Sequence, residues 1–265
     1  MLARALSTLF GAILAASAFT EPSTQERLDT ASVRDTTALH GPRSGIPSSE
    51  APRYSVNWAG AILHAAAESV WDVAGTFTIP ALSTPVGGDT APDRSARVWV
   101  GIDGDTCASA SVRLGYDLVR SKNGAVRITP WYHAQPGPIH FFDDSATAVG
   151  ASVTLAISAT SSSDGMVYIT DNTRGTLLSA HFATRNRLCR QDAEWVVENV
   201  ISDGALVPLV NFTAVTFTEA SAVVEGEHGP AEVGPGDAQA LNMFQTRLLT
   251  DVAVGASSVH IAYLS

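Results

Sequence analysis

From Tyr54 onward, apolar and polar positions alternate in short runs such as "ASVTLAISAT", "GMVYITDN" and "SVHIAYLS". A period of two places successive side chains on opposite faces, so these runs read as half-buried β-strands. Further candidates are "SVNWAGAIL", "SVWDVAGTFTIP", "SARVWVGID", "ASVRLGYDLV", "VRITPWYHA", "HFFDD", "LLSAHFAT", "LVNFTAVTFTEA" and "TRLLTDVAV". "AEWVVENVI" would also suit a turn of helix, but its Val content favours a strand. Gly, Pro, Asn and Asp break the runs, and "SKNG" and "DNTRG" have the chemistry of hairpin turns. No stretch keeps a helical period for long. About a dozen strands in one domain imply two packed sheets, an all-β sandwich. Strand spacing alone leaves open an immunoglobulin-like, jelly-roll or larger curved lectin type.

The first residues have a different texture. Arg4 precedes an apolar run from Ala5 to Ala16, and Ala16-Ser17-Ala18 is a small-x-small cleavage site, so 1–18 reads as a secretory signal. The run is too short to span a membrane comfortably. Residues 19–53 are rich in Ser, Thr, Pro and charge and read as a propeptide or flexible leader, leaving 54–265 as one β-domain. A secreted monomer without a membrane partner is expected.

A net charge of −10, a pI near 5.0 and a single lysine, Lys122, exclude a nucleic-acid partner, because phosphate binding needs clustered cations. The same numbers fit an extracellular protein working in acid. Cys107 and Cys189 are either one disulfide, closing a loop of about 80 residues, or two buried thiols. Asn211-Phe212-Thr213 is a glycosylation sequon inside an expected strand.

Common catalytic motifs are absent, including G-x-S-x-G, H-E-x-x-H, a P-loop and Asp-Thr-Gly. His133 and His140, with Asp143 and Asp144 nearby, match no established metal spacing and read as solvated positions. No metal or cofactor is expected. "VNWAGAIL", "VWVGIDGDTC" and "CRQDAEWVVENV" carry the remaining chemistry: tryptophans, Asp103, Asp105, Glu194 and Glu198. Carboxylates beside an indole can have raised pKa values and act as acid or base. In "ASVRLGYD", alternation sets Ser109, Ser111, Arg113 and Gly115 on one face and Val112, Leu114 and Tyr116 on the other. A strand face of small groups and one guanidinium is either solvated surface or the floor of a groove.

Together these stretches resemble the glutamic endopeptidase family, the eqolisins, acid proteases of fungi that pepstatin does not inhibit. The resemblance rests on Asn57 to Ala61 ("NWAGA"), Trp99 to Cys107 ("WVGIDGDTC") and Cys189 to Glu198 ("C-x-x-x-A-E-W-V-V-E"), in the family's order. It implies a signal and propeptide, a two-sheet sandwich of the concanavalin A-like lectin/glucanase type, and a disulfide between Cys107 and Cys189. It also implies Glu198 as the general base of a Gln–Glu pair. The family's Gln falls six residues after the first cysteine, and Arg113 stands there. An acidic position beside the family's "WYEW" falls on His133 of "WYHA". Trp99, Asp103, Trp131, His133 and Glu194 are expected to line a groove for a polypeptide or small-molecule substrate. Arg113 is expected to pair with Glu198. Two other functions follow if the site is remodelled: a small-molecule cyclisation or dehydration enzyme, or a lectin-like binding module.

Overall fold

The computed structural model describes residues 53–86, 93–143 and 147–264. The signal and nearly all of the leader lie outside them. In chain order the strands are β1 (Arg53–Ser55), β2 (Trp58–His64), β3 (Val70–Thr78), β4 (Arg94–Ile102), β5 (Ser111–Arg120), β6 (Val126–Gln135), β7 (Ile139–Phe141), β8 (Ser152–Ala159) and β9 (Asp164–Asp171). They continue as β10 (Thr176–Ala183), β11 (Asp192–Glu198), β12 (Ile201–Ser202), β13 (Ala205–Leu206), β14 (Ala214–Gly226), β15 (Gly229–Val233), β16 (Gln239–Met243), β17 (Thr250–Val254) and β18 (Val259–Tyr263).

All but β12 and β13, which pair with each other, fall into two large sheets, as the apolar pattern requires. One runs β1-β16-β2-β11-β4-β5-β6-β7, the other β10-β9-β8-β3-β14-β18-β17 with β15 beside β14. Val98, Val100 and Ile102 of β4 and Val112, Leu114 and Tyr116 of β5 join Phe77, Val153, Leu155, Ile157 and Phe217 in the core between them. Each such side chain contributes about 1.5–3 kcal/mol by leaving water. Trp195 of β11 crosses to the other sheet and donates its indole N–H to the Ala74 carbonyl at 2.8 Å.

The run "AEWVVENVI" is a strand as far as Glu198, seated at the centre of the first sheet between β2 and β4. One strand of that sheet was not legible. "QALNM" lacks alternation, yet as β16 it fills the gap between β1 and β2. Arg53, the last residue of the expected leader, is part of the folded domain. Arg53 pairs with Leu241 in the parallel β1–β16 ladder, and its guanidinium holds Asp105 at 2.6 Å and Gln239 at 3.2 Å. Asn211 lies in the link before β14, bridged to Ser83, with its side-chain oxygen accepting the Thr213 amide at 2.8 Å.

Candidate active site

The outward face of the first sheet carries a second, smaller aromatic cluster. Trp99, Trp131 and Val196 are its buried members, with Trp58 and Ile139 packed against them. Antiparallel register explains the company they keep. Val196 lies opposite Trp99, Trp99 opposite Gly115, and Gly115 opposite Trp131. A Cβ on Gly115 would lie 2.1 Å from the Val98 carbonyl oxygen and 2.6 Å from the Trp99 Cβ, so glycine is what lets β4 come this close at the Trp99 position. On one side of this row stand Glu194, Gly101, Arg113 and His133; on the other, Glu198, Arg97, Asp117 and Thr129. Four strands therefore deliver acids, cations and indoles to one surface.

Glu198 is 9% exposed, and its Oε2 accepts the Trp99 indole N–H at 3.0 Å. Among the described residues that is its one hydrogen bond. Arg113 lies in a corner of two indoles, its guanidinium carbon 4.6 Å from the Trp58 ring centre and 4.8 Å from that of Trp99. Those rings meet edge to face at 5.1 Å. Cation–π attraction to two rings holds the group.

The expected Arg113–Glu198 pair does not form among the described residues. The register gives the reason. Arg113 lies in the Glu194 row, and Glu198 is four residues further along β11, a displacement of ~13 Å between backbones. The indoles arrest the guanidinium before it reaches the second row.

Glu194 is fully buried, and neither carboxylate oxygen has a hydrogen-bond partner. Its carboxyl sits over glycines: a Cβ on Gly101 would be 2.9 Å from Oε2, and one on Gly104 3.5 Å from either oxygen. Burial pushes its pKa well above the usual carboxylate range, and Asp192, Asp105 and Asp103 add to the rise while Arg113 opposes it. It is therefore an un-ionised acid at low pH. Such a group stabilises the fold fully below its ordinary value and loses that contribution as pH rises through its folded value. Glu194→Gln should accordingly raise the thermal midpoint at pH 7–8 by at least ~3 °C, with little change at pH 4. Melting curves across pH check this; parallel wild-type and variant profiles would contradict it.

His133 donates its Nε2–H to the Gly137 carbonyl at 2.8 Å. Burial lowers its pKa to about 4, helped by the charges of Arg113, Arg97 and His140. Here the sign is opposite: stability is complete above ~6.5 and is lost as pH falls from there to about 4. His133→Gln should gain on the order of 2 kcal/mol relative to wild type between pH 7 and pH 3.5, after discounting for partial exposure. Urea unfolding at the two pH values measures it. An equal difference at both would sink the assignment.

One expected groove residue has another place. Asp103, fully buried with φ 63°, accepts the amides of Arg190 at 2.8 Å and Gln191 at 2.9 Å. It clamps the loop after β4 to the segment entering β11, beside the Cys107–Cys189 disulfide, instead of facing the groove. Trp131 is buried beneath Arg97, whose guanidinium carbon lies 5.3 Å from the ring centre. His140 stacks on Tyr132 at 4.8 Å. Asp103 also neighbours both cysteine sulfurs, but these are bonded to each other and offer no thiolate to a metal.

Sequence reasoning did not single out Trp58, Arg97 or Asp117 as site residues. Arg97 donates its Nε–H to Asp117 at 2.7 Å on the groove face. The signal was present: Arg97 shares strand parity with Trp99, and Asp117 shares it with Arg113.

The peptidase A4 family model matches residues 56–263. Aspergillopepsin-2 of Aspergillus niger is 30% identical over 283 residues, covering 97% of this chain and 98% of that protein. Scytalidopepsin B of Scytalidium lignicola is 32% identical over 219 residues, with 78% of each covered. The crystal structure of scytalido-glutamic peptidase with a peptide-based transition-state analog superposes with a TM-score of 0.67 at 30% identity, over 79% of this chain and 99% of that one.

Proposed function

Because the chain belongs to the peptidase A4 family, we propose that it is a secreted acid endopeptidase in which Glu198 is the general base and Arg113 replaces a neutral amide as oxyanion donor. The observation that carries this reading is the state of Glu198. Its carboxylate is anchored through Oε2 by Trp99 and is not tied up by Arg113, so Oε1 remains for a water molecule. The peptide-based analog bound by scytalido-glutamic peptidase supports a peptide as the occupant of the groove.

The chemistry proceeds in two proton transfers. Glu198 takes a proton from water as the oxygen attacks the scissile carbonyl carbon. Negative charge moves to the carbonyl oxygen, where the guanidinium N–H groups of Arg113 stabilise it. Glu198 then returns the proton to the departing nitrogen, the C–N bond breaks, and an acid and an amine leave. Trp58 and Trp99 keep the guanidinium in place, so little reorganisation accompanies the charge shift. Glu194, un-ionised in acid, does not neutralise it.

Export rests on the signal-like residues 1–18, and maturation on removal of a leader that stops short of Arg53. The test is cleavage of acid-denatured casein by the processed protein at pH 3–4 with pepstatin present, scored as new α-amino termini. Cleavage is expected. No cleavage anywhere between pH 2 and pH 6 would overturn the reading and leave the groove as a binding surface.

A further inference from the structure

We propose that this groove captures free peptide carboxylates: Arg113, seated between Trp58 and Trp99 in the row of Glu194, forms a two-pronged ion pair with the C-terminal carboxylate of a peptide. The acid fragment left by cleavage is one such ligand, so the inference rests on the groove being a peptide site.

Arg97, on the same face, pairs with Asp117, whereas Arg113 makes no ion pair among the described residues and is held by rings alone. Only its Nε is shut away without a partner; the terminal nitrogens are not closed off in that way. Gly104 lets the guanidinium pack close: a Cβ there would lie 2.9 Å from Nη2. An indole corner that fixes the guanidinium while leaving its donors unspent is pre-organised for a planar anion. A neutral amide at the same place would hold a carbonyl oxygen well and a carboxylate poorly. Arginine holds both, and favours the charged product over the neutral substrate.

The neighbours set the pH range. Facing Arg113 are Glu194 from β11, His133 from β6 and, farther along β11, Glu198; Arg97 and His140 complete the charged groups around His133. A peptide α-carboxyl ionises near ~3.5. Burial holds Glu194 toward its neutral form, so it competes weakly for the guanidinium while the ligand is ionised. Below the ligand's own pKa the charge, and with it the preference for the acid, is lost.

Calorimetric titration of the processed protein with an N-acetylated tetrapeptide acid and its C-terminal amide tests this. At pH 5 the acid should bind about 10–100-fold more tightly than the amide. The ratio should fall toward one at pH 2.5 and in Arg113→Gln, and Arg113→Lys should keep about a third to a tenth of it. Equal binding of acid and amide, a ratio that survives Arg113→Gln, or no binding of the acid at millimolar concentration would each overturn the proposal. Casein cleavage is scored separately. Carboxylate capture without cleavage would reject the peptidase reading alone, and cleavage without carboxylate preference would reject this one alone.

Discussion

Glu198→Gln is expected to lower kcat/KM for acid hydrolysis of a peptide by at least ~10³-fold while leaving the protein folded. Gln is isosteric and still offers an oxygen to the Trp99 indole N–H, so the side chain keeps its place. What it lacks is a basic oxygen, and with it both proton transfers: the one that makes water nucleophilic and the one that releases the amine. The loss should appear in kcat, with KM changed less than about threefold, because the amide still occupies the same volume on the groove floor. The thermal midpoint should stay within a few degrees, since Glu198 is nearly buried and the change removes a charge from a site with one hydrogen bond. A variant that hydrolyses peptides as well as wild type would move the general base elsewhere on this face.

The legibility of this protein divides along strand parity. Period-two alternation was enough to place Val112, Leu114 and Tyr116 in the core and Arg113 and Gly115 on the other face of β5. Val content made "AEWVVENVI" a strand, and Asp192–Glu198 is buried on both faces where it lies centrally in the sheet. Parity says which face a side chain takes but not how far along that face its neighbours stand. That distance depends on register, which is set by long-range pairing. Arg113 and Glu198 share a face, so they could be expected to meet; register then separates them by four residues and puts Glu194 in the row of Arg113. Asp103 failed for a different reason. It follows β4 directly, and its backbone turns into the left-handed region, aiming the carboxylate at the amides of Arg190 and Gln191 instead of the groove. β16 was illegible because five residues without alternation carry no periodic signal, and only the vacancy between β1 and β2 gives them a strand to be.

The placement of Arg113 has two opposing consequences for activity. As a cation fixed by two indoles, it is a stronger donor to an oxyanion than a neutral amide. As a large side chain, it takes space in front of Trp58 and Trp99 that a substrate would otherwise fill. The first effect governs if Arg113 is catalytic, and the second if it is a plug. Truncation separates them. Removing one oxyanion donor costs ~10²–10³ in kcat, whereas removing a plug opens the groove and lowers KM. Arg113→Lys keeps the charge but not the planar fork, so it should recover part of the loss caused by Arg113→Ala. The decisive measurement is kcat and KM for one peptide substrate at pH 3.5 with pepstatin present, for wild type, Arg113→Ala and Arg113→Lys. The expected result is a kcat that falls ~10²–10³-fold in the Ala variant and is partly restored in the Lys variant. An Ala variant as active as wild type, or more active, would contradict it.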